Sequence, residues 1–265
     1  MLELTNLQKT FAKGTVNAHV ALDGVSLHLQ PGEFVTVIGS NGAGKSTLFN
    51  AICGTFLCDS GHIRLGGEDI TFMPEHSRAR KIGRVFQDPM KGTAPGMTIE
   101  ENMALAYTRG AHSGPFSMAL SRKKYNLFRD ALARYGMGLE DRMKTKVGLL
   151  SGGQRQVVTL LMCTLVTPQL LLLDELTAAL DPATAEKIMA ITNQIVSENH
   201  ITTMMITHNI RSALQTGSRT IMLDAGQIIL DIGSEERAHM SVEQLLRLYS
   251  DKKKEELDND RMLFS

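Results

Sequence analysis

One short stretch constrains the fold of this chain more than any other: Gly39-Ser40-Asn41-Gly42-Ala43-Gly44-Lys45-Ser46, a full match to GxxxxGK[ST]. Before it runs Phe34-Val35-Thr36-Val37-Ile38, nearly all apolar, as expected of a strand covered on both faces. After it, Ser46-Thr47-Leu48-Phe49-Asn50-Ala51-Ile52 reads as a short helix ended by Gly54. Glycines let backbone N–H groups turn inward around phosphate oxygens, and the helix presents its positive end to the same charge. Lys45 is expected to reach the β and γ phosphates of a nucleotide and the Ser46 hydroxyl to coordinate Mg²⁺. The expected binding set runs from Gly39 through Thr47.

A second site follows at Leu170-Leu171-Leu172-Leu173-Asp174-Glu175. Four leucines make a buried strand, and an acid at its C-terminal end lies where α/β sheets bind ligands. Downstream of a phosphate loop, Asp174 is expected to hold Mg²⁺ across from Ser46, directly or through water. Glu175 is then the natural group to orient and deprotonate an attacking water. A third stretch, Leu150-Ser151-Gly152-Gly153-Gln154, is again glycine-rich and leads into an apolar helix. Ser151, Gly152, Gly153 and Gln154 can offer backbone amides to an anion there, and Ser151 also suits the helix N-cap. Two phosphate cradles on one chain make sense if nucleotide is sandwiched between two copies, each supplying one.

Around these sites, residues 1–38 read as β-rich, with strands expected at Leu2–Leu7, Val25–Leu29 and Phe34–Ile38. Roughly Thr98 to Thr167 reads as mainly helical. Thr98 and Glu101 form a capping box, and Tyr125, Phe128, Leu132 and Tyr135 recur near a helical period. Strands at Leu170–Leu173, Thr203–Ile206 and Arg219–Leu223 then alternate with helices, which implies a mostly parallel sheet. Ser241 with Gln244 makes a second capping box ahead of an amphipathic helix. After Ser250 the run DKKKEELDNDR reads as a solvated or frayed end.

Composition narrows the classes further. Lys and Arg number 28 against 28 Asp and Glu, and this zero net charge removes the basic excess expected of a nucleic-acid binder. With 265 residues, 43% of them hydrophobic, the chain can bury a core without disulfides. Cys53, Cys58 and Cys163 form no CxxC pair, which favours a reducing cytosol and a packing role for all three. The longest apolar stretch, Val157 to Val166, falls short of the ~18 to 20 residues of a membrane span. No secretory signal is visible at the N-terminus.

With its motifs in this order, the chain resembles the ATP-binding cassette family over essentially residues 1–235, LSGGQ being that family's signature. The resemblance implies an α/β fold: a P-loop NTPase (RecA-type) core with a mostly parallel sheet, an antiparallel β subdomain and an α-helical subdomain inserted at about 96–167. A C-terminal helix and charged tail would occupy 236–265. Gln87, in Val85-Phe86-Gln87-Asp88-Pro89, matches the Q-loop, which in the family touches Mg²⁺ and water and contacts the membrane partner. Ala179-Leu180-Asp181 matches the D-loop, which lies across the dimer, and His208, in Ile206-Thr207-His208-Asn209, matches the switch histidine at the γ-phosphate. Phe11 falls where an aromatic, more usually Tyr, stacks on adenine. Leu176 and Cys58 stand where Pro is common, and the helix reading VVTLLMCTLV lacks the usual Ala/Arg-rich run. That helix, the long helical segment before it and GLEDRMKTKVGLLSGGQRQ together resemble an importer branch of substrate-binding-protein-dependent uptake systems, including ones proposed for aromatic amino acids.

The resemblance thus implies an ATPase with ATP and Mg²⁺ as cofactors and Lys45, Gln87, Glu175 and His208 as its catalytic set. It would form a head-to-tail dimer and drive integral membrane permease subunits, served indirectly by an extracytoplasmic substrate-binding protein. Its place would be cytoplasmic, peripheral on the inner face of the membrane. An exporter motor shares this chemistry and differs only in its partner. A soluble cassette ATPase acting in translation or DNA repair usually carries two cassettes or a long coiled-coil insertion, and the sequence has neither. Cargo is contacted by the permease and binding protein, so it leaves little trace in these residues.

Overall fold

The computed structural model describes residues 1–110, 121–178 and 180–263, with 253–263 as backbone only. Ala179 of the D-loop match and residues 111–120 of the expected helical segment lie outside the described residues. Strands β1 (Leu2–Phe11) and β2 (His19–Leu29) pair antiparallel, with Leu2 opposite Leu29. They lead to β3 (Phe34–Gly39), the glycine loop, and helix α1 (Lys45–Cys53). Next come β4 (Ser60–Leu65) and the short β5 (Glu68–Asp69), which complete a four-stranded antiparallel sheet in the order β2-β1-β4-β5. Leu2, Leu4, Leu22, Leu27, Ile63 and Leu65 are all buried, so this sheet covers the core with one apolar face.

The rest of the chain builds a second sheet. A short α2 (Glu75–Arg78) precedes β6 (Ile82–Val85), and three helices follow: α3 (Ile99–Gly110), α4 (Arg122–Ala133) and α5 (Gly152–Thr164). Then come β7 (Leu170–Asp174), α6 (Pro182–Asn199), β8 (Thr202–Ile206), α7 (Ile210–Gln215) and β9 (Arg219–Asp224). The chain ends with β10 (Gln227–Ile232), α8 (Ser234–Ala238) and α9 (Val242–Leu263). The strand order is β10-β9-β3-β8-β7-β6, parallel throughout except for β10. The β9–β10 hairpin turns through Ala225 and Gly226, both with positive φ (44° and 82°), the geometry a two-residue hairpin turn demands. The mixed α/β architecture is the one expected.

The four leucines of β7 show why the run is continuous. Leu170 and Leu172 join the core shared with the antiparallel sheet and α1, whereas Leu171 and Leu173 join the core under α3 to α6. A strand alternates its side chains, so burial on both faces requires every position to be apolar. All three cysteines are free, and Cys53 and Cys163 are buried in these two cores. No helix among the described residues is long and apolar enough to cross a membrane.

Both capping boxes form. The Thr98 N–H donates to Glu101 at 2.7 Å and the Glu101 N–H to the Thr98 hydroxyl at 3.3 Å. The Ser241 N–H donates to Gln244 at 2.7 Å, and the Gln244 N–H returns to Ser241 at 3.2 Å. Helix α4 ends at Ala133, so Tyr135 lies beyond it yet stays buried, before Gly136 takes a positive φ of 57°. The charged stretch after Ser250 continues α9, which is helical to Leu263. Arg78, only 1% exposed, was not singled out by the sequence; its guanidinium donates to the carbonyls of Ala51 and Ile52 in the last turn of α1, and to Thr71 and Met73.

Candidate active site

The glycine loop leaves the C-terminal end of the central strand β3. Gly39 has φ 149°, and a Cβ there would sit 2.2 Å from the Leu223 carbonyl oxygen of neighbouring β9. Gly44, φ 101°, caps α1, and a Cβ there would sit 2.5 Å from the Ala21 carbonyl oxygen. Only glycine satisfies both the dihedral and the clearance. Helix α1 has no side-chain N-cap and no acidic residue in its first turn, so its opening N–H groups and positive end remain for an anion. The Lys45 side chain bends back over the loop and donates to the carbonyls of Gly39 and Ser40, each at 2.8 Å. Burial lowers the Lys45 pKa, opposed by the charges of Glu175 and Asp174. The expected phosphate contact of Lys45 therefore requires it to exchange these carbonyls for phosphate oxygens. The Ser40 hydroxyl donates to Asp224 at 3.1 Å.

Two strands away, β7 ends at Asp174, which is buried, with its carboxylate 3.2 Å from the Arg84 guanidinium. Glu175 follows with φ 47°, uncommon for a residue with a Cβ, while its N–H stays in the sheet ladder by donating to the Ile206 carbonyl at 3.1 Å. One Glu175 oxygen lies 2.5 Å from His208 Nε2, and the other accepts from the Gln87 amide at 2.8 Å. Three residues expected to act together thus converge from the ends of β6, β7 and β8. Leu176, in the place of the commoner Pro, is buried in the core and anchors the turn.

A cleft of about 430 Å³ joins these parts. Its lining includes Phe11, the run from Asn41 to Thr47, Glu175 and His208. Gly39, Ser40, Gln87 and Asp174 flank it without lining it. His19 and Ala21 also line it, and sequence reasoning missed both. Phe11 is 39% exposed, set edge-on against Phe56 at 5.3 Å, so part of its ring faces the opening.

The signature segment lies elsewhere on the chain. Ser151 caps α5 in a full capping box with Gln154, and Gln154 also accepts from Arg142 at 3.2 Å. A Cβ on Gly153 would meet the Thr184 side chain of α6 at 2.4 Å, so that glycine serves helix packing as well. Asp181 caps α6 through the Thr184 N–H at 3.0 Å, and its hydrogen bonds to Thr184 hold its carboxyl below the ordinary carboxylate range. None of Ser151, Gly152, Gly153, Gln154 and Asp181 lines the cleft holding Lys45. In a single copy the signature segment and the glycine loop therefore do not line one cleft.

Ser46, in the cleft lining, Gln87, hydrogen-bonded to Glu175, and Asp174, at the end of β7, carry hard oxygen donors. Among the described residues no group of three or more His, Cys, Asp or Glu could cage a metal alone. That pattern fits Mg²⁺, which keeps several waters and shares its coordination between one or two carboxylates and substrate phosphates. Arg84, with Asn50 behind it, went unnoticed in the sequence. The available signal was a cation inside the otherwise apolar strand Ile82–Val85, three residues before Gln87.

A family model described as ABC transporter matches residues 22–178. A tyrosine transport ATP-binding protein of Clostridioides difficile is 42% identical over 249 residues, covering 94% of this chain and 98% of that protein. A methionine import ATP-binding protein of Rhizobium johnstonii is 35% identical over 232 residues, covering 86% of this chain and 60% of that protein. Among solved structures, an ATP-binding cassette determined as a dimer in a post-hydrolysis state with ADP and Pi bound is similar with a TM-score of 0.77 and 28% identity, covering 88% of this chain and 99% of that one. With its phosphate loop, acidic strand end and signature segment on such a fold, the chain belongs to the ABC transporter family, as an ATP-hydrolysing cassette.

Proposed function

We propose that this chain is the ATPase subunit of an amino-acid importer, with an aromatic amino acid such as tyrosine as cargo. The observation that carries this reading is the similarity to the tyrosine transport protein, which spans nearly all of both chains. It favours import over export and over a role in translation or DNA repair. In this reading residues 1–235 form the cassette, with its helical part at about 96–167, and 236–265 are an appendage to it. The protein works at the inner face of the membrane on permease subunits that an extracytoplasmic binding protein supplies.

Two copies close head to tail, each nucleotide lying between Gly39–Thr47 of one and Ser151–Gln154 of the other, with Asp181 at the dimer seam and Phe11 against adenine. Lys45 gives up the Gly39 and Ser40 carbonyls for the β and γ phosphates. Ser46, Asp174 and Gln87 hold Mg²⁺, which when bound neutralises charge on the phosphate oxygens. His208 leaves Glu175 for the γ-phosphate, and the freed carboxylate of Glu175 takes a proton from the attacking water. Loss of the γ-phosphate removes what joined the two copies, and the dimer reopens.

Co-purification followed by reconstitution tests this. The expected result is a polytopic permease as partner and ATP turnover that rises when binding protein loaded with tyrosine is added outside the vesicle. Recovery with ribosomes or DNA, or turnover indifferent to the loaded binding protein, contradicts it.

A further inference from the structure

We infer that Arg84 sets the metal affinity of this site, acting as a positioning residue that holds a positive charge on Asp174 whenever metal is absent. The inference rests on the reading of Asp174 as the metal-holding carboxylate. Strand β6 runs parallel to β7 with Arg84 opposite Leu172, which carries its side chain to the strand end where Asp174 stands. One guanidinium nitrogen donates to Asp174 at 3.2 Å and another to the Asn50 side chain of α1 at 2.7 Å. The guanidinium also lies over the Phe86 ring, 4.7 Å from its centroid. Its Nε is buried with no hydrogen-bond partner, so the planar fork is committed to Asp174 and Asn50 at the expense of its third donor.

The side chains of Arg84 and Asp174 are only 13% and 12% exposed, so water screens their attraction weakly. Without Arg84, Asp174 is a desolvated carboxylate that has lost its ion-pair partner, with the Lys45 charge still acting on it, which destabilises the metal-free fold. The same carboxylate attracts a divalent cation more strongly, because no guanidinium held against it competes. Asn50 keeps the guanidinium beside Asp174, so the competition persists when metal arrives. Arg84 therefore stabilises the empty site and weakens its hold on the metal.

Thermal unfolding of the full chain, with ADP constant and MgCl₂ titrated from an EDTA baseline, tests this in wild type, Arg84→Met, Arg84→Gln and Arg84→Lys. Wild type is expected to gain Tm as MgCl₂ rises. Arg84→Met and Arg84→Gln are expected to melt lower in EDTA and to reach half of their Mg²⁺-dependent gain at about tenfold less MgCl₂. Arg84→Lys, which keeps the charge, is expected to stay near wild type in that midpoint. If Arg84→Met fails to fold, the glutamine variant carries the comparison. Equal Tm losses with and without MgCl₂ and an unchanged midpoint, or a higher midpoint, overturn the inference while leaving the metal reading intact. A wild type with no Mg²⁺-dependent gain overturns both.

Discussion

His208 Nε2 lies 2.5 Å from a carboxylate oxygen of Glu175. The proposed general base is therefore occupied, and its other oxygen is taken by Gln87 at 2.8 Å. A carboxylate accepting on both sides is a poor base for a third partner until one donor leaves. Binding of a γ-phosphate gives His208 a competing anion, which couples arrival of substrate to release of the base. His208→Ala is expected to cut ATP turnover by on the order of a hundredfold, the usual cost of removing one donor to developing charge. ADP binding, measured by the Tm gain it produces, should be retained.

Lys45 is held by two carbonyls of its own loop, so the side chain is already in place before nucleotide arrives. Lys45→Met keeps the length of the stem and removes the charge. The expected outcome is a folded protein whose Tm no longer rises with ATP at concentrations that give the wild type about 2.7 kcal/mol of linkage, near a hundredfold above Kd. An unchanged ATP response would remove Lys45 from the phosphate site.

Arg78 ties the end of α1 to the loop before α2 with hydrogen bonds to Ala51, Ile52, Thr71 and Met73. Arg78→Met takes the donor from the carbonyls of Ile52, Thr71 and Met73, each loss costing about 1–3 kcal/mol. The expected destabilisation is about 3 kcal/mol or more by denaturant unfolding, well above the ~0.5 kcal/mol of an ordinary surface change.

Asp181 caps α6, and its hydrogen bonds to Thr184 depress its pKa. A carboxyl depressed in the folded state contributes stability above its unfolded pKa of about 3.9 and loses it as pH falls through the folded value. Asp181→Ala should therefore lower Tm at pH 7, and the gap from wild type should narrow below about pH 4. A gap constant with pH would mean that the ionised cap contributes nothing.

Local pattern and tertiary partnership divide what could be read in the sequence from what could not. The strand from Phe34, the loop to Ser46 and the leucines ending at Asp174 were legible because each is dictated by residues adjacent in the chain. So were both capping boxes, where donor and acceptor lie three residues apart. Strand β10 was missed, because its turn, Ala225-Gly226, places a residue other than glycine at positive φ. Arg84 and Arg78 were missed for another reason: Asp174 lies 90 residues from Arg84 and Ile52 lies 26 from Arg78, and no spacing rule links them. The convergence of Gln87, Glu175 and His208 was implied by family resemblance, and their distances come only from the fold.

The proposed cycle turns on Glu175 as the base that activates water. The most direct measurement is ATP turnover of Glu175→Gln beside its ATP binding and its oligomeric state in ATP. Glutamine keeps the size of the side chain and its contact with Gln87 but cannot take a proton. If Glu175 is the base, turnover falls by about 10²–10⁴-fold while ATP still binds and the dimer persists. Turnover near that of the wild type, with ATP bound, would contradict it.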